Sequence, residues 1–318
     1  MKERVWEYKG LREVYGQTLV ELGEKNPDIV VLDADLSSST KTAMFGKKFP
    51  DRFFNMGISE QDMMGTAAGL AAGGKVAFAS TFAIFATGRA WEQIRQSICY
   101  PGLNVKIIAT HGGITVGEDG ATHQCIEDFG LMRVLSGMKV IVPADPVETK
   151  RVIETVATED GPFYVRLSRV KFPVLYSDKY EFKVGKSDIL REGKDITLMG
   201  IGLTVSHCIL AADILASHGI EARVINMSTL SPIDSDAVIA AAKETKRIVT
   251  VEEHLKVGGL GSAVSECLSE NYPTLLKIMG ITEFGISGKA EKLLEYFKLM
   301  PGDIAEAALN LLKKEENI

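Results

Sequence analysis

Short apolar runs alternate with longer stretches of helical spacing along all 318 residues. Residues 29–33 (IVVLD), 76–80 (VAFAS), 105–109 (VKIIA), 139–142 (KVIV) and 163–167 (FYVRL) are brief and β-rich. Near-continuous apolar runs of this length mark strands covered on both faces, as in a parallel sheet. Between them the spacing predicts helices over 10–25, 60–72, 87–99, 124–135 and 146–157. The alternation predicts an α/β fold. Residues 170–186 (VKFPVLYSDKYEFKVGK) break the rhythm with a proline, polar positions and no helical period. A second series follows, with strands near 196–199, 222–226, 247–251 and 275–279 and helices near 204–218, 234–243, 261–270 and 303–313. We therefore expect two domains, 1–170 and 186–318, joined by a linker over 171–185. Each should be a mostly parallel sheet flanked by helices, since the chain is too long for one typical core.

Composition narrows the function classes. The net charge of −6 argues against sequence-independent nucleic-acid binding, which rests on neutralising phosphates. The first residues, MKERVWEYKG, are charged and lack the apolar stretch of a signal peptide. No run approaches the roughly 20 apolar residues that span a bilayer. Cys99, Cys125, Cys208 and Cys267 are far apart and show neither zinc spacing nor a disulfide framework. A protein of the cytoplasm with reduced thiols is the expectation, with no membrane or nucleic-acid partner.

Four segments could carry chemistry. In Gly57-Ile58-Ser59-Glu60-Gln61-Asp62, Ser59 and Asp62 have capping-box spacing, so a helix should start here. Glu60 then lies in the first turn, where the helix dipole alone would favour an acid. The GTAAGLAAGG stretch that follows is rich in small residues and should be a buried helix. In Ser80-Thr81-Phe82-Ala83-Ile84-Phe85, the two aromatics follow a strand at helical spacing. They are either core or a wall for a flat heterocycle. The segment His111 to Gln124 (HGGITVGEDGATHQ) is a glycine-rich loop after a strand, with two of the five histidines and two acids. Loops at the carboxyl ends of parallel strands are where such sheets bind ligands. A polar pocket for a hydroxylated or phosphorylated substrate is preferred over plain turn structure, and the spacing matches no strong metal signature. Finally, Arg12, Asp35, Ser39 and Arg169 fall around the predicted strand ends, where arginine and serine could grip a phosphate. Gly258-Gly259-Leu260-Gly261 reads as a tight turn into a helix, and Glu252, Glu253 and His254 as a local polar cluster without a catalytic role.

In order, DADLSSST, GISEQ, STFAIF, HGGITVGEDGATHQ, VPADP, RLSR and VEEHLKVGGLGSAV resemble the transketolase family, over nearly the whole chain. The resemblance implies a thiamine-diphosphate pyrimidine-binding domain followed by the family's C-terminal domain. It implies that Glu60 hydrogen-bonds the pyrimidine nitrogen opposite the amino group, favouring the imino form that takes the thiazolium proton. Phe85 would pack on the pyrimidine with Phe82 beside it, and Asp35 would lie near the thiazolium. Arg12, Ser39, His111 and Arg169 would grip the sugar phosphate, Asp119 a sugar hydroxyl, and His123 the reacting end. Gly88 departs from relatives that carry a further aromatic there.

Full-length relatives carry a Gly-Asp-Gly motif and a later asparagine that bind magnesium and the diphosphate. Glu118-Asp119-Gly120 and Glu159-Asp160-Gly161 lack the first glycine, so no metal ligand is assigned to this chain. The resemblance thus implies the C-terminal half of a split transketolase. An N-terminal partner subunit would supply the Mg2+ site, the chain would self-associate to a dimer, and the assembly would be a heterotetramer in carbohydrate metabolism. Two rivals are the beta subunit of a 2-oxo-acid dehydrogenase's decarboxylating component and a deoxyxylulose-phosphate-synthase-like enzyme. A rival of another class is a non-catalytic regulatory protein on the same fold.

Overall fold

The computed structural model describes residues 6–314. The chain builds two mostly parallel sheets flanked by helices. The first has seven strands, in the order Thr229–Ser231, Lys139–Ile141, Phe163–Arg166, Val105–Thr110, Val76–Phe82, Ile29–Asp33 and Phe53–Asn55. Only the outermost pairing, of Thr229–Ser231 with Lys139–Ile141, is antiparallel. The second sheet runs Leu275–Ile281, Arg247–Leu255, Ile196–Gly200, Ala222–Asn226 and Asp188–Arg191, with the last strand antiparallel.

The period-two geometry of a strand explains why the short apolar runs are continuous. Within Ile29–Asp33, Ile29 and Val31 join one core with Tyr15, Leu19, Val152 and Val156 of helices Leu11–Lys25 and Pro146–Thr158. Val30 and Leu32 join the opposite core with Met63, Ala67 and Ala71 of helix Glu60–Ala72. Each fully buried aliphatic side chain is worth roughly 1.5–3 kcal/mol. Among the described residues no helix is long and apolar enough to cross a membrane.

Several local expectations need correction. The stretch 87–99 is not one regular helix. It is the π-helical turns Phe85–Arg89 and Ile94–Cys99 flanking Trp91–Gln93. Here Thr87 Oγ1 donates to Ala83 O at 2.8 Å, an acceptor a regular turn would give to the Thr87 amide. The helix expected over 124–135 shrinks to Asp128–Arg133. Its first residues are drawn into the preceding loop, where Gly113 N donates to Cys125 O at 2.7 Å. Ser59 stands at the N-cap of helix Glu60–Ala72, but its side chain makes no capping hydrogen bond, so the capping box does not form. That helix buries Met63, Met64, Ala67, Ala68 and Ala71 and leaves Gln61, Gly65 and Gly69 exposed, so it is not buried all round. In the segment 171–185, Lys171–Pro173 pairs with Tyr8–Gly10. Leu175 N and Tyr176 N then donate to Asp145 Oδ2 at 2.7 and 2.9 Å.

The two sheets meet through buried charge. Arg166 Nη1 lies 3.5 Å from Asp128 Oδ1, and Nη2 donates to Glu253 O at 2.9 Å. The guanidinium also packs over Phe129, with its carbon 4.6 Å from the ring centroid. Tyr164 OH donates to Asp128 Oδ2 at 2.7 Å. Removing one member of a buried pair leaves the other without its counter-charge, at about 3–5 kcal/mol. Arg166→Met should therefore lower the free energy of urea unfolding by an amount on that scale. An unfolding free energy within ~1 kcal/mol of wild type would mean that Arg166 is not a structural hub.

Candidate functional site

The strand order reverses at Ile29–Asp33. The next strand in sequence, Phe53–Asn55, lies on one side of it and the one after, Val76–Phe82, on the other. In open α/β sheets, ligands bind outside the carboxyl ends of the strands at such a switch point. The candidate residues leave the sheet at these ends: Asp35 after Ile29–Asp33, Phe82 at the end of its strand, His111 after Val105–Thr110 and Arg169 after Phe163–Arg166. Glu60 follows Phe53–Asn55 as the first residue of its helix.

A continuous series of contacts links most of these side chains. Glu60 is 1% exposed, and both its carboxylate oxygens accept from Arg89 Nη1 at 2.9 Å. Arg89 lies over the Phe85 ring at 4.8 Å. Phe85 stacks with Phe82 at 6.0 Å, and His123 meets Phe85 edge-on at 5.5 Å. Phe82 also stacks on the His111 imidazole, with ring centroids 3.8 Å apart. His111 Nε2 is 3.5 Å from Arg12 Nη1, which donates to Ser39 O at 2.9 Å. Arg12 Nη2 donates to Arg169 O at 3.3 Å. The Arg169 guanidinium donates to Val116 O and faces Glu118 and Asp119 at 3.7 and 3.8 Å. Ser39 enters this series through its carbonyl. Asp35 is held elsewhere: its carboxylate accepts from Asn55 Nδ2 at 3.0 Å. At Gly88 an added Cβ would meet only Ile84 Cδ1, at 3.6 Å, so this edge is open.

The electrostatics favour an anionic ligand at the Arg12 end. Burial, outweighing the attraction of Glu13, lowers the Arg12 pKa, and the neighbouring Arg169 adds to the effect. Burial first, then the charges of Arg12, Arg169 and His123, pull His111 down to about 3. Because arginine only donates, Nε2 of His111 is the acceptor and Nδ1–H donates to Thr110 Oγ1 at 2.8 Å. His111 also holds φ 58°, a conformation uncommon outside glycine and often found at functional sites.

The loop 111–124 is buttressed from the second sheet. Thr115 N donates to a Glu253 carboxylate oxygen at 2.5 Å, Ser287 Oγ to Glu118 O at 2.6 Å, and Gln124 Nε2 to Ile286 O at 2.9 Å. A Cβ at Gly112 or Gly113 would collide with Arg166, and Gly113 has φ 82°. Glu253, read from the sequence as a bystander, thus orders this loop. Two further residues escaped sequence reading. Arg89 carried no signal beyond standing one turn after Phe85. Asp33 is buried and accepts from Leu36 N, Thr40 Oγ1 and Thr42 Oγ1 at 2.6, 2.7 and 2.8 Å, which shapes the loop bearing Ser39. Its signal was an acid at a strand end followed by Ser and Thr.

The family profile "Transketolase, pyrimidine binding domain" matches residues 8–174, and "Transketolase, C-terminal domain" matches 185–304. The chain belongs to the transketolase family. It is 50% identical to the "Putative transketolase C-terminal section" of Methanocaldococcus jannaschii, over 97% of this chain and 98% of that one. It is 39% identical to the "6-deoxy-6-sulfo-D-fructose transketolase subunit SqwH" of a Clostridium species, over 96% of this chain and 95% of that one. A solved structure described as "Split gene transketolase, inactive beta4 tetramer" superposes with TM-score 0.88 at 50% identity, covering 95% of this chain and 98% of that one.

The transketolase family implies thiamine diphosphate. The residues present suit one end of that molecule: a buried carboxylate beside an aromatic wall, with open space at Gly88, matches a flat heterocycle bearing hydrogen-bond donors. Because the imidazolium is the disfavoured form, lowering pH through the ordinary value near 6.5 should leave His111 neutral, with protonation only near 3. Histidine side-chain 15N shifts will check this. A midpoint for His111 between pH 6 and 7 would mean that burial and the neighbouring charges do not act on it.

Proposed function

We propose that this chain is the C-terminal subunit of a two-chain transketolase that moves a two-carbon ketol unit from a ketose phosphate to an aldose phosphate in the cytoplasm. The observation that carries the reading is the run of contacts from the buried Glu60 carboxylate, past Phe85 and Phe82, to the guanidinium groups of Arg12 and Arg169. One end suits a heterocyclic cofactor and the other an anionic sugar. An N-terminal partner subunit would bind the diphosphate and Mg2+, and self-association would complete a heterotetramer. Support for a subunit comes from the two relatives named as a section and a subunit, each matched over at least 95% of its own length. In this reading the domains are 1–170 and 186–318, with 171–185 between them.

Thiamine diphosphate supplies, when bound, an acidic carbon that attacks carbonyls and a sink for the electrons released. Glu60 holds a proton at the pyrimidine nitrogen, and Phe85 and Phe82 pack on the ring. Asp35, bound to Asn55 in the chain without cofactor, would have to turn from it to stand toward the thiazolium side. Arg12, His111, Arg169 and the Ser39 turn bind the anionic end of the sugar, Asp119 takes a hydroxyl, and His123 serves the reacting end. Neutral His111 fits this task, because it can orient against Arg12 without adding a third cation beside Arg12 and Arg169.

The purified chain alone, given thiamine diphosphate and magnesium, should show no ketol transfer, and mixing with the partner subunit should restore it. In the restored complex Arg169→Ala should raise KM for phosphorylated sugars more than for unphosphorylated analogues. A lost charge-assisted hydrogen bond of about 1.5–3 kcal/mol corresponds to roughly tenfold to a hundredfold. Turnover by the single chain would refute the two-chain reading. Equal changes with both sugar types would refute the phosphate grip.

A further inference from the structure

The Glu60 carboxylate already has a cationic partner within this chain. Arg89 Nη1 donates to both oxygens at 2.9 Å, and the guanidinium carbon lies 4.8 Å from the Phe85 centroid. A flat group rich in N–H donors therefore sits on the same ring and the same carboxylate that the reading above gives to the aminopyrimidine. The two partners differ in burial: the Glu60 side chain is 2% exposed and that of Arg89 49%. A carboxylate buried that deeply without a partner is strongly unfavourable, so something must cover it when no ligand does.

Local backbone structure suits a side chain that can leave. Phe85–Arg89 is a π-helical turn, an irregularity frequent at functional sites, and position 89 packs over position 85. Gly88 contributes no side chain, and the space where its Cβ would stand holds only Ile84 Cδ1, at 3.6 Å. About half of the Arg89 side chain is exposed, so its guanidinium can be rehydrated when it swings away.

We propose that Arg89 is a positioning residue that stands in for the aminopyrimidine. It closes the pyrimidine slot of the unloaded chain, holds the Glu60 carboxylate in place, and moves out as the cofactor enters. This rests on the reading of Glu60 as the pyrimidine partner. Entry then exchanges one donor for another, and the carboxylate is never left bare. The exchange weakens cofactor binding, because the Arg89 contacts must be broken first. If Arg89 instead stayed on Glu60 in the loaded site, removing it would weaken binding.

The test is equilibrium dialysis of the reconstituted two-chain complex against thiamine diphosphate with magnesium, for wild type, Arg89→Ala, Arg89→Lys, Glu60→Gln and the Arg89→Ala/Glu60→Gln double variant. Arg89→Ala should lower Kd about tenfold, a differential of ~1.4 kcal/mol. Arg89→Lys should fall between wild type and Arg89→Ala. In the Glu60→Gln background the gain from Arg89→Ala should vanish. Competition by inorganic pyrophosphate, which probes the diphosphate end alone, should be the same for wild type and Arg89→Ala. Should Arg89→Ala fail to assemble, Arg89→Gln supplies the comparison, with the same direction expected. An unchanged or raised Kd, or an equal gain without the Glu60 carboxylate, overturns the proposal while leaving the role of Glu60 intact. Absence of binding by the wild-type complex overturns both.

Discussion

One buried guanidinium organises the site. Arg166 ends a central strand of the first sheet, pairs with Asp128, and reaches Glu253 on the long strand of the second sheet. Its aliphatic stem and head occupy the space above Gly112 and Gly113, so only residues without a Cβ fit there. His111 precedes those glycines directly, and Thr115, just beyond them, is tied to Glu253. The position of the loop that carries His111, Asp119 and His123 is thus set by a charge that cannot be exposed and cannot be left unpaired. Packing, domain contact and site geometry here share one side chain.

The second sheet consequently does more than append a domain. Glu253, Ile286 and Ser287 hold the loop 113–124 by its backbone. Glu252, the neighbour of Glu253, accepts from Leu260 N and Gly261 N at 2.6 and 2.8 Å. It satisfies amides at the start of helix Leu260–Asn271, where an anion is favoured. The VEEHL strand therefore grips its own domain with one carboxylate and the loop 113–124 with the next. Alternation of side chains along a strand is what separates these two roles.

Much of this was legible in the sequence. The apolar runs at 29–33 and 105–109 became interior strands because their length and β-branching match a two-sided core. Motifs at strand ends came together because parallel strands deliver their carboxyl ends to one rim. What could not be read was set by contacts distant in sequence. Ser59 and Asp62 have the spacing of a cap, yet no capping bond forms, so spacing alone was insufficient. The helix expected from Gln124 lost its first turn because Cys125 bridges to the glycines before it. Asp35 shares a loop with Ser39, but positive φ and the Asn55 side chain turn it toward the neighbouring strand. Arg89 and Glu253 stand 29 and 138 residues from the groups they serve, so no local pattern marks them.

The central claim is that Glu60 manages a proton at the cofactor and does not merely face the amides of a helix start. Exchange of the thiazolium carbon-bound proton, followed by NMR in deuterated water on the two-chain complex, measures this directly. Glu60→Gln keeps size and hydrogen bonding but cannot share an acidic proton. Acid–base assistance is typically worth a factor of about 10²–10⁴. We expect exchange in the Glu60→Gln complex to slow on that scale while thermal unfolding stays near wild type. Exchange at the wild-type rate would contradict it, leaving Glu60 as a helix-start acid alone.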